Sequence, residues 1–162
     1  MNVNVLEGTL PYMSPEQTGR MNRALDYRTD YYSLGATFYE ILTGTVPFPL
    51  NDPMEIVHCH LANMPPPLYE RQAGIPEVLS RIVLKLMAKM AEDRYQSAFG
   101  LRADLLQCLK QYQSGAGITD FPIGRQDISE RFQIPQKLYG REQEITALLD
   151  TFERVSQGHT EM

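Results

Sequence analysis

The segment TDYYSLGATFYEILT, residues 29–43, is apolar on nearly every side of a helix. Its aromatic and aliphatic residues leave almost no polar face, and Gly44 follows as a helix stop. A helix that is apolar all round has to be covered by other parts of the protein. The pattern therefore predicts a central, buried helix over residues 29–43.

The residues after this segment predict a second helix with a well-marked start. Asp52 is suited to cap it, Pro53 to occupy its first position, and Glu55 to take the capping-box position. The helix has to end before the prolines of 65–67, which we interpret as a connector between helices.

Two more helices are predicted, and no segment alternates as a strand would, so the predicted fold class is mainly α. One follows Pro76 and the other is capped by Ser97 and ends near Ser114. The apolar stripe of the first consists of Leu79, Ile82, Val83, Leu86, Met87 and Met90, and its wet side of Arg81, Lys85 and Lys89. The apolar side of the second consists of Leu101, Leu105, Cys108, Leu109 and Tyr112.

Charge and hydropathy exclude several classes of protein. The 162 residues carry 15 Lys and Arg against 20 Asp and Glu, a formal charge of −5, so we expect no nucleic-acid partner. No apolar run approaches the roughly 20 residues of a membrane span. Residues 1–5 lack the basic start and apolar core of a signal peptide. We therefore expect a cytoplasmic protein without a membrane span.

The cysteines and histidines do not predict a metal site. Cys59 and Cys108 lie far apart and have no C-x-x-C partner, which argues against a disulfide framework or structural zinc. His58 and His60 flank Cys59, but residues two apart on a helix point to different faces. The two imidazoles are therefore not expected to share an ion.

Three motifs in order carry a resemblance to a known family. GTLPYMSPE at 8–16 resembles the end of the activation segment of eukaryotic-type Ser/Thr protein kinases, G-T-x-x-Y-M-[A/S]-P-E. DYYSLG at 30–35 is similar to the family's D-x-[WY]-S-L-G, and GTVPF at 44–48 to its G-x-x-P-F. EDRYQS at 92–97 resembles the turn in which kinases place an arginine before their last helix. The resemblance implies an incomplete kinase fold, its helical C-terminal lobe, over residues 1–113.

The resemblance implies a substrate-docking role for one run of residues. They are Gly8, Thr9, Leu10, Tyr12 and Met13. In the family, the threonine at the position of Thr9 bonds the catalytic aspartate and its neighbouring lysine, which implies a Ser or Thr acceptor. The backbone of 8–13 shapes the pocket for the residue after the acceptor, and the side chains imply an apolar lining.

Three other residues have structural roles implied by the same resemblance. Glu16 is expected to form a buried bidentate pair with Arg94, for which the planar guanidinium is well suited. In complete kinases the aspartate at the position of Asp30 accepts backbone N–H groups from the catalytic loop. Ordinary helix capping also explains Asp30, because a carboxylate is favoured at the positive end of a helix dipole.

The groups that transfer phosphate are missing from these 162 residues. Phosphoryl transfer requires a Gly-rich loop, a strand lysine, an H-R-D-x-x-x-x-N loop and a D-F-G metal ligand, and none occurs. We therefore expect no catalytic residue, no metal ligand and no bound cofactor in this chain. ATP and Mg²⁺ are implied only for the complete family protein.

The C-terminal part predicts a linker and the start of another module. Residues 114–137 mix Gly, Ser, Asp and Pro without helical periodicity, as a linker does. YGREQEITALLDTF at 139–152 resembles the lead-in to an AAA-type ATPase module, G-R-E-x-E-[IL]-x-x-L, although a charged helix start also accounts for it. We expect a trailing helix over 141–156 within a truncated module at 138–162.

This order of segments resembles large bacterial multidomain kinases in which an AAA-type ATPase follows the kinase. We expect a fragment of a signalling Ser/Thr kinase that retains the substrate-docking half and is inactive alone. Its partners are then a protein substrate and the missing part of the kinase. The alternative is a non-catalytic helical interaction module, in which the helix after Pro53 and a basic loop of Arg20, Arg23 and Arg28 bind a partner protein.

Overall fold

The computed structural model describes residues 10–20, 23, 25–115 and 117–128, and these ranges contain five α-helices. They are α1 (Arg28–Thr43), α2 (Pro53–Ala62), α3 (Leu68–Arg71), α4 (Glu77–Leu86) and α5 (Ala98–Gln113). Short 3₁₀ turns occur at Leu10–Tyr12, Pro15–Thr18 and Ala91–Asp93. These ranges contain no strand, and none of their helices is long and apolar enough to cross a bilayer. The mainly α prediction is confirmed.

Helix α1 lies at the centre of this arrangement and contacts α3, α4 and the Leu10–Tyr12 turn. It ends as predicted, with Gly44 in the left-handed conformation (φ 74°) and its N–H bonded to the Glu40 carbonyl. A Cβ atom on Gly35 would lie 2.8 Å from Leu86 Cβ, so glycine lets α1 and α4 approach closely. The prediction of burial on all sides is wrong, because Ile41 is 70% exposed on the face away from α4.

Local capping sets the start of α2 as predicted. Asp52 accepts hydrogen bonds from the N–H groups of Met54 (2.7 Å) and Glu55 (3.0 Å). The proline connector ends in the short helix α3, which the sequence did not predict. Its first N–H, on Leu68, donates to Ser80 Oγ at 2.9 Å, so a tertiary hydrogen bond supports this turn.

Helix α4 is shorter than its predicted apolar stripe. It buries Val78, Ile82, Val83 and Leu86 and ends at Leu86, before Met87 and Met90. The predicted wet position of Lys89 is wrong. Because the helix has ended, the chain turns inward there, and the Lys89 ammonium donates to the Cys59 carbonyl at 3.1 Å.

Helix α5 begins as predicted, with Ser97 Oγ accepting from the Gly100 N–H at 3.0 Å. Leu101 and Cys108 are buried. The predicted apolar side is too wide, since Leu109 is exposed and Tyr112 is 71% exposed.

Part of the predicted linker is docked against the helices. Phe121 is only 7% exposed and joins an apolar cluster with residues of α4 and α5. Arg81 Nη2 donates to the Phe121 carbonyl at 2.7 Å. Residue contacts divide the chain into one unit at 1–130 and a second at 131–162. The trailing helix predicted at 141–156 lies outside the described residues.

Candidate substrate-docking site

The Leu10–Tyr12 turn is seated on α2. Leu10 and Met13 are buried in one apolar cluster with Ile56 and Val57 of that helix. Because Leu10 and Met13 point their side chains into the protein, they fix the backbone of the turn against α2. Gly8 and Thr9, the other two predicted docking residues, lie outside the described residues.

Tyr12 fastens the same turn to α1. Its hydroxyl donates to Glu40 Oε2 at 2.6 Å, and its carbonyl accepts from Ser33 Oγ at 2.9 Å. The hydrogen bond to the Glu40 carboxylate, aided by burial, raises the pKa of Tyr12. The turn is thus held by two helices through apolar contacts on one side and hydrogen bonds on the other.

The structure brings Glu16 and Arg94 together, as the resemblance implied. Arg94 Nη1 lies 2.6 Å from Glu16 Oε1, and Nη2 lies 2.8 Å from Oε2. The side chains are 0% and 6% exposed respectively. This is a buried bidentate pair between the Pro15–Thr18 turn and the segment that leads into α5.

Further hydrogen bonds satisfy the remaining polar atoms of this pair. Arg94 donates to the carbonyls of Arg28 (2.8 Å) and Ala88 (2.8 Å), and Thr29 Oγ1 donates to Glu16 Oε1 at 2.9 Å. Burial alone would raise the pKa of Glu16, but the hydrogen bonds and charge of Arg94 outweigh it and lower that pKa. Glu16 is therefore held as a carboxylate that joins three segments of the chain.

Asp30 occupies the first turn of α1 and is exposed. The residue at the cap position is Tyr27, because the helix begins two residues earlier than Asp30. A carboxylate in the first turn is favoured by the helix dipole. Its implied role toward a catalytic loop stays a prediction.

Most of the charged groups in the proposed basic loop of Arg20, Arg23 and Arg28 form ion pairs within the protein. Arg23 Nη1 donates to both carboxylate oxygens of Glu92, at 2.7 and 2.9 Å. Arg28 is buried, with Nη2 2.6 Å from Asp26 Oδ2. Arg20 is exposed. Two of the three guanidinium groups therefore hold the domain together, which argues against this loop as a partner-binding surface.

Tyr32, His60 and Lys89 form a polar cluster that the sequence did not indicate. Tyr32 Oη lies 2.9 Å from His60 Nδ1, and Lys89 Nζ lies 3.4 Å from Tyr32 Oη. His60 is fully buried while His58 is exposed, so the two rings lie on different faces of α2. A histidine at a core-facing position, one turn after Ile56, is the signal that could have found this cluster.

The described side chains do not fit a magnesium–nucleotide complex. In the described part of the chain, no three His, Cys, Asp or Glu side chains are grouped to share an ion. The buried carboxylate of Glu16 is already engaged by Arg94. We therefore derive no chemical step through ATP or Mg²⁺ at these residues.

Comparison with known proteins identifies the family. The family model described as protein kinase domain matches residues 1–109. The chain belongs to the protein kinase family. The resemblance drawn from the motifs is confirmed at this level.

The relatives of this chain are much longer proteins, and the chain matches only a part of each. It is 40% identical over 173 residues to hybrid signal transduction histidine kinase G of Dictyostelium discoideum, covering 94% of the chain and 5% of that protein. It is 44% identical over 100 residues to serine/threonine-protein kinase PknB of Mycobacterium leprae, covering 62% of the chain and 16% of PknB. It is 31% identical over 134 residues to peroxide stress-activated histidine kinase mak3 of Schizosaccharomyces pombe, covering 83% and 6%. The chain thus spans 5–16% of the length of these relatives.

Proposed function

We propose that this chain is the substrate-side, C-terminal-lobe part of a protein kinase that phosphorylates Ser or Thr residues of proteins in signalling. The motifs over residues 8–97 and the helical fold support this assignment. The names of its relatives include both serine/threonine-protein kinases and histidine kinases of signal transduction. The sequence favours the first class, because Thr9 stands where the motif of Ser/Thr kinases has its threonine. We call the Leu10–Tyr12 turn that follows Thr9 the docking turn.

The anchoring of the Leu10–Tyr12 turn is the observation that carries this proposal. The turn is held by α2 through Leu10 and by α1 through Tyr12. The Glu16–Arg94 pair fixes the chain just after it. A short, half-buried peptide segment held at both ends by a rigid scaffold suits docking of an extended acceptor.

In this proposal the docking residues divide their tasks. Thr9 is assigned the hydrogen bonds to the catalytic aspartate and its neighbouring lysine that the resemblance implies, and Gly8 belongs to the backbone that shapes the pocket. Leu10, Tyr12 and Met13 shape the apolar pocket for the residue after the acceptor by setting the backbone of the turn, because the side chains of Leu10 and Met13 are buried against α2. An apolar side chain at that position of the acceptor is therefore favoured, since burying it gains free energy.

The 162 residues are proposed to be inactive alone. They contain no Gly-rich loop, H-R-D or D-F-G motif, and positioning with Mg²⁺ supplies most of the catalysis in phosphoryl transfer. ATP and Mg²⁺ are assigned to kinase sequence beyond these residues, which also makes that sequence a binding partner. We place the complete protein in the cytoplasm, where ATP is available.

The C-terminal residues 138–162 are proposed to begin an AAA-type ATPase module. The motif YGREQEITALLDTF supports this assignment. The assignment of a further module is compatible with relatives such as histidine kinase G, because the part matched by this chain is only 5% of that protein. Such a module would follow the kinase domain after the proposed linker at 114–137 in a longer chain.

One pair of assays tests the proposed function. The purified chain is given radiolabelled ATP, Mg²⁺ and Ser peptides, and binding of the same peptides is followed by NMR titration. We expect no phosphate incorporation. We also expect a peptide with Val after the acceptor to bind about tenfold tighter than its Glu counterpart, the value of burying one small apolar side chain.

Three outcomes of these assays have different meanings. Incorporation of phosphate by the chain alone contradicts the proposed inactivity. Equal binding of the Val and Glu peptides contradicts the apolar pocket. Binding to a kinase segment that carries the missing motifs, with no binding of acceptor peptides, favours the alternative function as a helical interaction module.

A further inference from the structure

The buried histidine beneath the docking turn has an unused nitrogen. His60 is 0% exposed, and its Nε2 atom has no well-formed hydrogen bond to any residue that the structure describes. Its ring packs edge-on against Phe48, with the centroids 5.2 Å apart. A buried polar group without a partner is uncommon in proteins, so this nitrogen needs an explanation.

Neighbouring groups determine which nitrogen of His60 carries the proton. Lys89 only donates hydrogen bonds, and it reaches Tyr32 Oη at 3.4 Å. The single proton of the Tyr32 hydroxyl then points to His60 Nδ1, 2.9 Å away. Because Nδ1 accepts this bond, a neutral His60 carries its proton on Nε2.

Electrostatics keep His60 neutral. Burial, reinforced by the positive charge of Lys89, lowers the pKa of His60 to about 4. The carbonyls of Leu10 and Pro11 act in the opposite direction, favouring the protonated ring, but they are outweighed. These two carbonyls are close enough to the imidazole to act on its pKa, although neither forms a hydrogen bond of normal geometry with Nε2 in this structure, and they belong to the docking turn.

The two ends of the docking turn differ in how they are held. Tyr12 has two hydrogen bonds to α1, from Ser33 to its carbonyl and from its hydroxyl to Glu40. At the other end, the apolar side chain of Leu10 lies in one cluster with Ile56 of α2, and Ile56 precedes His60 by one helical turn. An N–H donor on His60 would supply the polar restraint at that end.

We propose that His60 is a positioning residue for acceptor docking: its Nε2–H attracts the carbonyls of Leu10 and Pro11 and forms a hydrogen bond to one of them when an acceptor is docked, and Tyr32 and Lys89 fix the proton on that nitrogen. The inference rests on the proposed function, since it takes the Leu10–Tyr12 turn to be the acceptor-docking turn. In addition to the hydrogen bonds of Tyr12, His60 restrains the backbone of the turn, and this second restraint sets the depth of the pocket for the residue after the acceptor.

NMR of the ¹⁵N-labelled full chain tests the proton position directly. Long-range proton–nitrogen correlations distinguish the two neutral forms of a histidine ring, and the spectrum of His60→Gln identifies the signals of His60. We expect a neutral ring with its proton on Nε2 at pH 7. A proton on Nδ1 overturns the inference.

Peptide binding tests the positioning role. His60→Leu keeps a buried apolar side chain and removes the donor, whereas His60→Gln keeps an N–H near the position of Nε2. We expect His60→Leu to weaken binding of the Val peptide about tenfold, which is what one lost hydrogen bond is worth, and His60→Gln to restore most of it. Preference for Val over Glu should fall in the Leu variant.

A matched pair of tyrosine variants separates positioning from stability. Tyr32→Phe removes the hydroxyl next to His60, while Tyr95→Phe removes an equally buried hydroxyl, bonded to Asp104 at 2.6 Å, in another part of the core. We expect only Tyr32→Phe to weaken peptide binding, although both lower the melting temperature. Unchanged binding in folded His60→Leu and Tyr32→Phe overturns the inference.

The inference can fail or survive independently of the proposed function. If the unmodified chain binds no acceptor peptide, the proposed docking function fails. The role of His60 is then tested by the chemical shifts of the backbone amides of Tyr12 and Met13 in the variants. These amide signals should shift in His60→Leu, return in His60→Gln and stay in place in Tyr95→Phe; no shift in His60→Leu overturns the role.

Discussion

At the scale of single residues, Arg94 shows how a charge can be buried without being left unpaired. Its guanidinium reaches the Glu16 carboxylate and the carbonyls of Arg28, Ala88 and Lys89. It also lies over the Tyr32 ring, 5.0 Å from the centroid. These partners come from three segments of the chain, the Pro15–Thr18 turn, α1 and residues 88–89, so the position of Arg94 depends on how these segments meet.

Replacing the acid of the buried pair should be severe. In Glu16→Gln the Arg94 guanidinium stays buried without its counter-charge, and we expect the free energy of unfolding to fall by about 3–5 kcal/mol. Urea denaturation at pH 7 measures this loss. Asp120→Asn is the control, because its ion pair with Arg81 is exposed and should contribute less than about 1 kcal/mol. Similar losses in the two variants would contradict the buried pair.

The same variant has a pH signature. Arg94 lowers the pKa of Glu16 below its ordinary value of 4.5, so the unfolded chain takes up the proton first as the pH falls. The stabilisation by the carboxylate is complete above pH 4.5 and is lost as the pH falls through the lower, folded-state pKa. The difference in stability between the natural chain and Glu16→Gln should therefore shrink at acid pH.

At the scale of elements, helix starts could be predicted and helix surroundings could not. The caps at Asp52 and Ser97 are formed as the sequence indicated, because each bonds an N–H group two or three residues away. The exposed position of Tyr112 and the inward position of Lys89 depend on which neighbours cover those residues. Periodicity gives the width of an apolar stripe but not the extent of the surface that covers it.

The segment after α5 acts as an element of the fold. Asp127 accepts hydrogen bonds from the N–H groups of Gln96 (2.9 Å) and Ser97 (2.9 Å), where α5 begins. The side-chain amide of Gln96 in turn donates to the Arg94 carbonyl at 2.7 Å. Residues 117–128 are therefore connected to the residues that hold the docking turn.

Truncating the buried aromatic ring of this segment should cost much of the stability. We expect Phe121→Ala to lower the free energy of unfolding by about 3–5 kcal/mol, because the cavity lies among α4 and α5. Phe99→Ala is the matched control, since Phe99 is 58% exposed, and should change it by less than about 0.5 kcal/mol. Equally small effects would show that Phe121 is not docked.

At the scale of the whole molecule, residue contacts place 1–130 in one unit. The kinase boundary after residue 113 and the linker at 114–137 stay predictions, although Phe121 within that range is held by specific contacts. Gly, Pro and Asp are common both in flexible linkers and in segments held by such contacts. Composition alone does not distinguish these two cases.

Two shortened chains test where the folded unit ends. A chain ending at Glu130 should keep the unfolding free energy of the full chain to within about 0.5 kcal/mol, as for changes outside a folded core. A chain ending at Gln113 loses the contacts of Phe121 and Asp127 and should melt well below it. Circular dichroism during heating measures both. Equal melting of the two shortened chains would favour the earlier boundary.

The sequence by itself determined the helical class, the starts of α1, α2, α4 and α5 to within a residue, and the kinase family, while the docking role of residues 8–13 stays a prediction. These depend on motifs and on bonds that span a few residues. Only the tertiary structure decided the surroundings of Lys89 and His60, the docking of Phe121 and the internal use of Arg23 and Arg28. Glu16 and Arg94, 78 residues apart, were paired in advance only through the family resemblance. The physical reason is that burial and long-range contacts depend on where distant segments meet, whereas capping and periodicity are local.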